Sequence, residues 1–218
     1  MAISFPLSLA QFADRLTITE VKWRLQEQQE YSGLGSGEVL AADLGPSLWM
    51  GDVRLAVGYH DDVADIQATI EALDGSINSF FLYDPRKMFP RDDPDGSKLG
   101  ASAPRIFVVG ANYKSLALKG LPNGYVLSRG DFLSFDYGTN PMRRAFHRVV
   151  ETVTAGSNGN TVEFEVRPHL RPGVAADLAV TLVKPAVKAI MVPNTFDPGT
   201  GRAVVTDGMS FQVVQTLR

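Results

Sequence analysis

Leu127-Ser128-Arg129-Gly130-Asp131 leads into the apolar run Phe132 to Tyr137, and Ala145 to Thr154 follows as a second apolar run. A Gly156-Ser157-Asn158-Gly159 turn then precedes Phe164-Glu165-Val166-Arg167-Pro168-His169-Leu170-Arg171-Pro172. Short β-rich runs separated by glycine, proline and asparagine at close spacing are the pattern of a small barrel. Outward from this stretch the same rhythm continues, with Arg105 to Val109 and Ser115 to Lys119 before it and Ala179 to Val183 after it. Asn158-Gly159 is the strongest hairpin signal in the chain, because both residues tolerate the positive φ that a tight primed turn requires.

Upstream the pattern differs. Ile18 to Gln28 reads as a strand, and Tyr31-Ser32-Gly33-Leu34-Gly35-Ser36-Gly37 as a flexible hairpin tip. Glu38 to Leu44 is the next expected strand, broken by Pro46, and Leu48 to Tyr59 a third. Asp61 to Leu73 is the one helix: Val63, Ile66, Ile70 and Leu73 recur at spacings of three and four, and Asp61 and Asp62 complement the positive end of the macrodipole. Gly75 closes it. Ile77 to Tyr83 is a dense apolar strand, and Arg86 to Pro104, rich in proline and aspartate, reads as a long surface loop or junction. Val187 to Val192 and Met209 to Thr216 read as strands that return to the first unit.

At 218 residues, 44% hydrophobic and 21% charged, the chain has the composition of an ordinary folded protein with room for two units. A formal charge of −3 argues against nucleic acid as a specific partner. The absence of cysteine excludes disulfides, thiolate metal sites and cysteine nucleophiles. Met1 to Gln11 lacks the features of a signal peptide, and no apolar run is long enough to span a bilayer, so synthesis in the cytoplasm of a host cell is expected.

Catalytic patterns are weak. His60, His147 and His169 match no zinc spacing. His60 with Asp61 and Asp62 reads either as a metal-binding trio or as an acidic helix start, and the helix start is the simpler of the two. Asp92, Asp93 and Asp95 alternate like calcium ligands but lack the terminal Glu of a twelve-residue loop, which favours a solvated loop. Gly33-x-Gly35-x-Gly37 has neither the phosphate-loop lysine nor a following helix. No nucleophile elbow is present. The expectation is a non-enzyme with no cofactor and no metal.

Trp23, Trp49, Phe80, Phe81 and Tyr83 are core candidates, with Trp49 and Met50 alternatively an interface hot spot. Arg143, Arg144 and Arg148 with His147 form a basic cluster, read either as a charged strand edge or as a site for acids of a neighbouring subunit.

Trp23-Arg24-Leu25 with its glycine loop, Gly51 to Tyr59, the helix, and Leu73-Asp74-Gly75-Ser76 running into Phe80-Phe81-Leu82-Tyr83-Asp84-Pro85 resemble the N-terminal unit of siphophage distal tail proteins and related minor tail proteins, also found in gene transfer agents. Leu127 to Asp131, Val149 to Thr154 and Val162 to Arg171 are similar to the OB-like barrel that some of them carry. The resemblance implies a mainly β fold: a tail-tube-like β-sandwich or split barrel with one flanking helix, formed by residues 1–103 with 186–218, and an inserted OB-like barrel at 104–185. It implies a structural virion protein at the phage tail tip, a distal tail protein whose hexameric ring joins the tail tube protein to the tail hub or baseplate, with DNA passing through the lumen. The large C-terminal carbohydrate-binding-like domain of many such proteins has no counterpart here. Expected ring contacts are Gly33, Leu34, Gly35, Ser36, Gly37, Trp49, Met50, Arg143 and Arg144. The alternatives are another tail component (tube, terminator or hub subunit) or a carbohydrate-binding module for host attachment, with Tyr113, Tyr125 and Tyr137 as aromatic platforms.

Overall fold

The computed structural model describes residues 3–218. In chain order its regular elements begin with β1 (Ile18–Gly33), β2 (Val39–Leu55), β3 (Gly58–Tyr59), helix α1 (His60–Glu71) and β4 (Phe80–Tyr83). Next come β5 (Arg105–Val109), β6 (Ser115–Lys119), β7 (Val126–Leu127), β8 (Phe132–Tyr137) and β9 (Arg143–Val149). After these follow β10 (Val153–Thr154), β11 (Phe164–Arg167), β12 (Val180–Thr181), β13 (Ala186–Met191), β14 (Thr200–Gly201), β15 (Val205–Asp207) and β16 (Ser210–Gln215). The fold is mainly β, with one α-helix among the described residues.

The chain forms two compact units. One, the barrel unit, comprises the chain up to Arg15, Ser79–Ala189 and Leu217–Arg218; the other, the hairpin unit, comprises Leu16–Asn78 and Ile190–Thr216. These divisions differ from a split at 104 and 186, because the segment after Ser79 packs with the barrel.

In the barrel unit the strand order is β12-β8-β9-β11-β6-β5, all antiparallel where register is defined. The sheet nearly closes on itself: Ile106 N–H donates to the Leu178 carbonyl, Asp177 N–H to that of Ile106, and Val180 N–H to that of Pro104. Closure removes the open edges that short strands otherwise present. Ile106, Leu116, Leu118, Leu127, Leu133, Phe135, Phe164 and Val166 fill the interior and are almost completely buried. The Asn158-Gly159 turn forms, with Gly159 at φ +75°, yet the flanking segments do not pair as a hairpin. β10 pairs with β7, whereas β11 pairs with β9 and β6. Gly159 lies against the Leu121 carbonyl, where a Cβ would come within 2.7 Å of that oxygen. Glycine is therefore required for contact with a non-adjacent segment as well as for the turn.

The segment from Asp84 to Leu99 runs over the surface, with Arg91, Pro94, Asp95, Ser97 and Lys98 exposed, but it is anchored by buried carboxylates. Asp84 caps the short 3-10 turn Pro85–Lys87 and binds the Arg86 guanidinium through both oxygens. Asp131 is buried and accepts from the N–H groups of Ser128 and Arg91, at 2.8 and 3.0 Å. Asp93, with 0% exposure, accepts from the N–H groups of Lys98 and Leu99 and from the Tyr125 hydroxyl, at 2.9, 3.0 and 3.2 Å. Burial, followed by the charge and hydrogen bond of Asp93, raises the Tyr125 phenol well above its ordinary range. Three buried carboxylates thus anchor this proline-rich segment alongside Leu99, which it contributes to the apolar core.

In the hairpin unit β2 lies between β1 and β16. Val21, Trp23, Trp49, Val53, Phe211 and Val213 are buried, with polar residues between them on the opposite face. Gly51 pairs with Trp23 and Val213, and a Cβ there would meet the Trp23 ring at 3.2 Å and Val213 at 3.0 Å. The helix buries Val63 and Ile70, Ile66 on the same stripe is half-buried, and Leu73 is buried just beyond the helix end, where Asp74 and Gly75 adopt positive φ. Pro46 does not break the strand. Gln26 pairs with Leu48 and Gln28 with Gly45, so Pro46 and Ser47 together face the single residue Glu27. Such a bulge accommodates a residue that has no N–H to give the ladder.

Candidate functional site

The most exposed regular structure in the chain is the far half of the β1–β2 hairpin. From Gln29 to Leu44 every residue is exposed, although the ladder continues through Gln29–Asp43, Tyr31–Ala41 and Gly33–Val39. At the tip Leu34 N–H donates to the Glu38 carbonyl and Gly37 N–H to that of Leu34, with Gly37 at φ +85°. The tip residues Gly33, Leu34, Gly35, Ser36 and Gly37 therefore sit where the sequence reading put them, at the end of a hairpin.

Below Leu25 and Trp49 the alternation of buried and exposed residues is lost. Tyr31 is 78% exposed, Val39 62%, Leu40 55% and Leu44 68%. Pairing places Tyr31 beside Ala41 on one face and Ser32 beside Leu40 on the other, so apolar groups project from both sides. A two-stranded ribbon of this kind gains nothing from a core of its own, and large contiguous apolar exposure is characteristic of an interaction surface. The arm also carries Glu27, Glu30, Glu38 and Asp43, and no lysine or arginine lies between Leu25 and Met50.

The other expected contact residues are more deeply placed. Trp49 is 1% exposed and belongs to the core, where its backbone N–H donates to the Gln215 side chain. Met50 is half-buried. Arg144 is held internally, donating to Asp136, to the Ser134 hydroxyl and to the Ala186 carbonyl. Arg143 is half-buried and donates through Nε to the Leu217 carbonyl. Of the three tyrosines considered as a sugar platform, Tyr125 and Tyr137 are 3% and 2% exposed, inside the barrel, and only Tyr113 reaches the surface.

The histidines do not converge. His60 Nε2 donates to the Arg202 carbonyl and Nδ1 accepts from the Thr206 hydroxyl, both at 2.8 Å, which ties the start of the helix to the β14–β15 turn. His147 is buried, stacked on Phe135 and bonded through Nδ1 to the Pro168 carbonyl; desolvation, above all, lowers its pKa to about 4. His169 lies beside Glu165, and burial followed by the charges of Arg167 and Lys114 lowers its pKa. Among the described residues no group of three or more His, Asp or Glu side chains is placed to hold a metal ion. An open groove of about 410 Å³ in the hairpin unit is lined by charged residues, including the pair Glu20–Lys22, Arg54, and Asp52, which is paired with Arg24. No helix among the described residues is long and apolar enough to cross a membrane.

No protein-family model matches the chain, and no curated protein matches it.

Proposed function

We propose that this chain is a structural virion protein of a long-tailed bacteriophage, a distal tail protein whose copies close into a six-membered ring between the tail tube and the tail-tip hub. The observation that carries this reading is the hairpin arm, sixteen consecutive exposed residues from Gln29 to Leu44 with apolar groups on both faces. Such an arm is stabilised by laying its faces or edges against a neighbour, and closed cyclic symmetry satisfies that contact in every copy without a growing filament. The rest of the chain supports a scaffold role: a nearly closed barrel, three buried carboxylates that fix its longest irregular segment, and His60 and His147 engaged in local hydrogen bonds. On this reading the protein works by shape and performs no catalysis.

The test is location. Gold-labelled antibody against the chain, applied to virions produced from the genome that encodes it, is expected to mark the tail end opposite the head. Label at the head-proximal end or along the tube would replace this reading with a terminator or tube subunit.

A further inference from the structure

The hairpin unit carries thirteen acidic residues and only four basic ones. Three of the four cations have an acid of their own: Lys22 meets Glu20, Arg24 meets Asp52 and Arg202 meets Asp207. Arg54 is the fourth. It is exposed, and although Glu20 lies opposite it in the ladder, its guanidinium makes no ion pair among the described residues. An arginine without an acid in so acidic a unit marks a place for an anion.

Arg54 lines the open groove of about 410 Å³, a volume within the range of small-ligand sites. Val21, Val53 and Phe211 are buried, so the residues on either side of them point the other way, in two rows across β1, β2 and β16. One row is Glu20, Arg54 and Ser210, and the next is Lys22, Asp52 and Gln212. The rows are two residues, about 7 Å, apart along the strands. In the first, Arg54 and the Ser210 hydroxyl offer donors. In the second, the Asp52 carboxylate, 31% exposed, offers an acceptor beside the Gln212 amide, which can donate and accept. The Ser210 hydroxyl and the Gln212 amide have no partner among the described residues. One wall is fixed by Thr195, whose hydroxyl donates to the Val192 carbonyl at 2.7 Å and accepts from the Gln212 N–H at 3.1 Å.

These groups define the ligand. With Lys22 on Glu20 and Arg24 on Asp52, the charge left over is the single positive charge of Arg54, which one negative charge on a ligand balances. Asp52 is already neutralised, so a neutral hydroxyl suits its free acceptor capacity better than a second cation, and Ser210 and Gln212 suit hydroxyls as well. We infer that the groove binds an acidic sugar, with its carboxylate on Arg54 and Ser210 and its ring hydroxyls on Asp52 and Gln212. The inference goes beyond the ring reading and does not depend on it. It also places sugar binding in a different unit from the barrel tyrosines, two of which are buried.

The experiment is isothermal titration calorimetry on the full-length chain with trigalacturonate as the probe, maltotriose as its neutral counterpart and acetate as the bare carboxylate. Trigalacturonate is expected to bind once per chain, about tenfold or more tighter than either control. Arg54→Gln, at an exposed position, should remove that preference, and Gln212→Ala should weaken both sugars about fivefold. Should circular dichroism show Gln212→Ala to be unfolded, Ser210→Ala is read in its place. Raising salt from about 50 to about 500 mM should weaken trigalacturonate and leave maltotriose unchanged. No binding at about 10 mM trigalacturonate, equal binding of the acidic and the neutral sugar, or an Arg54→Gln variant that binds like the wild type each overturns the inference. So does acetate that binds as tightly as trigalacturonate, since the hydroxyl contacts then contribute nothing. None of these results bears on antibody location, so the sugar site and the ring reading fail separately.

Discussion

Replacing Asp93 by alanine is expected to cost about 3–4 kcal/mol of barrel-unit stability. The carboxylate is fully buried and accepts three hydrogen bonds, from Lys98 N–H, Leu99 N–H and the Tyr125 hydroxyl. Lys98 is exposed, so its N–H can turn to water when the acceptor is lost. Leu99 and Tyr125 are 8% and 3% exposed, and their donors would be stranded at about 1–3 kcal/mol each. Relief from burying a charge offsets part of this sum. Asp93→Asn keeps one acceptor oxygen but turns an NH₂ group towards a donor, and should fall between alanine and the wild type. Tyr125→Phe removes only the longest of the three bonds, for about 1 kcal/mol. The Asp93→Ala, Tyr125→Phe double variant should show a coupling of similar size. Scanning calorimetry is the appropriate assay, since both tryptophans, Trp23 and Trp49, lie in the other unit and their fluorescence would not report directly on the barrel. The expected shift for Asp93→Ala is roughly 6–16 °C at the usual conversion for a chain of this size. An alanine variant within about 1 kcal/mol of wild type would refute the claim that this carboxylate anchors the segment from Asp84 to Leu99.

His147 should impose a pH dependence. The unfolded chain takes up the proton near the ordinary 6.5, whereas the buried imidazole resists it until about 4. The stabilisation is therefore complete above about pH 6.5 and lost as pH falls towards 4, by about 3 kcal/mol in all. His147→Gln, which retains a donor for the Pro168 carbonyl, should flatten that part of the urea-derived stability profile, and parallel profiles would contradict the assignment. Gly51→Ala should destabilise the hairpin unit by about 1–3 kcal/mol, because the added methyl meets Trp23 and Val213; an unchanged urea midpoint of tryptophan fluorescence would count against it. Shortening the arm by joining Gln28 to Gly45 through a two-residue turn should leave the urea midpoint within about 1 kcal/mol of wild type, since sixteen exposed residues contribute little packing. The same deletion should abolish incorporation into virions, measured by immunoblot of purified particles, and normal incorporation would remove the arm from the assembly argument.

Some elements follow from local pattern alone. Arg105 to Val109, Ser115 to Lys119 and Phe132 to Tyr137 were legible as strands to the residue, and the stripe Val63, Ile66, Ile70 and Leu73 gave the helix, because each segment's period matches the face it buries. The glycines from Gly33 to Gly37 marked the hairpin tip, the part of the candidate surface that sequence could locate. Its extent could not be read, since Tyr31, Val39 and Leu40 have the composition of buried strand residues and only the fold leaves them uncovered.

Pairing and burial belong to the tertiary structure. Asn158-Gly159 specifies a turn, but the partners of the strands beside it are decided by barrel closure, which sends β10 to β7 and β11 to β9 and β6. Pro46 would end an isolated strand, yet a bulge opposite Glu27 carries β2 through it. Asp93 reads as a solvent-facing acid until the fold brings two backbone donors and the Tyr125 hydroxyl around it, and Tyr137 reads as a surface platform until the barrel closes over its ring. Sequence by itself determined the local conformations and the mainly β class, because these depend on residues a few positions apart. Which polar groups are buried, which apolar ones stay exposed and where the charges gather depend on contacts between distant residues, and only the folded chain decides them.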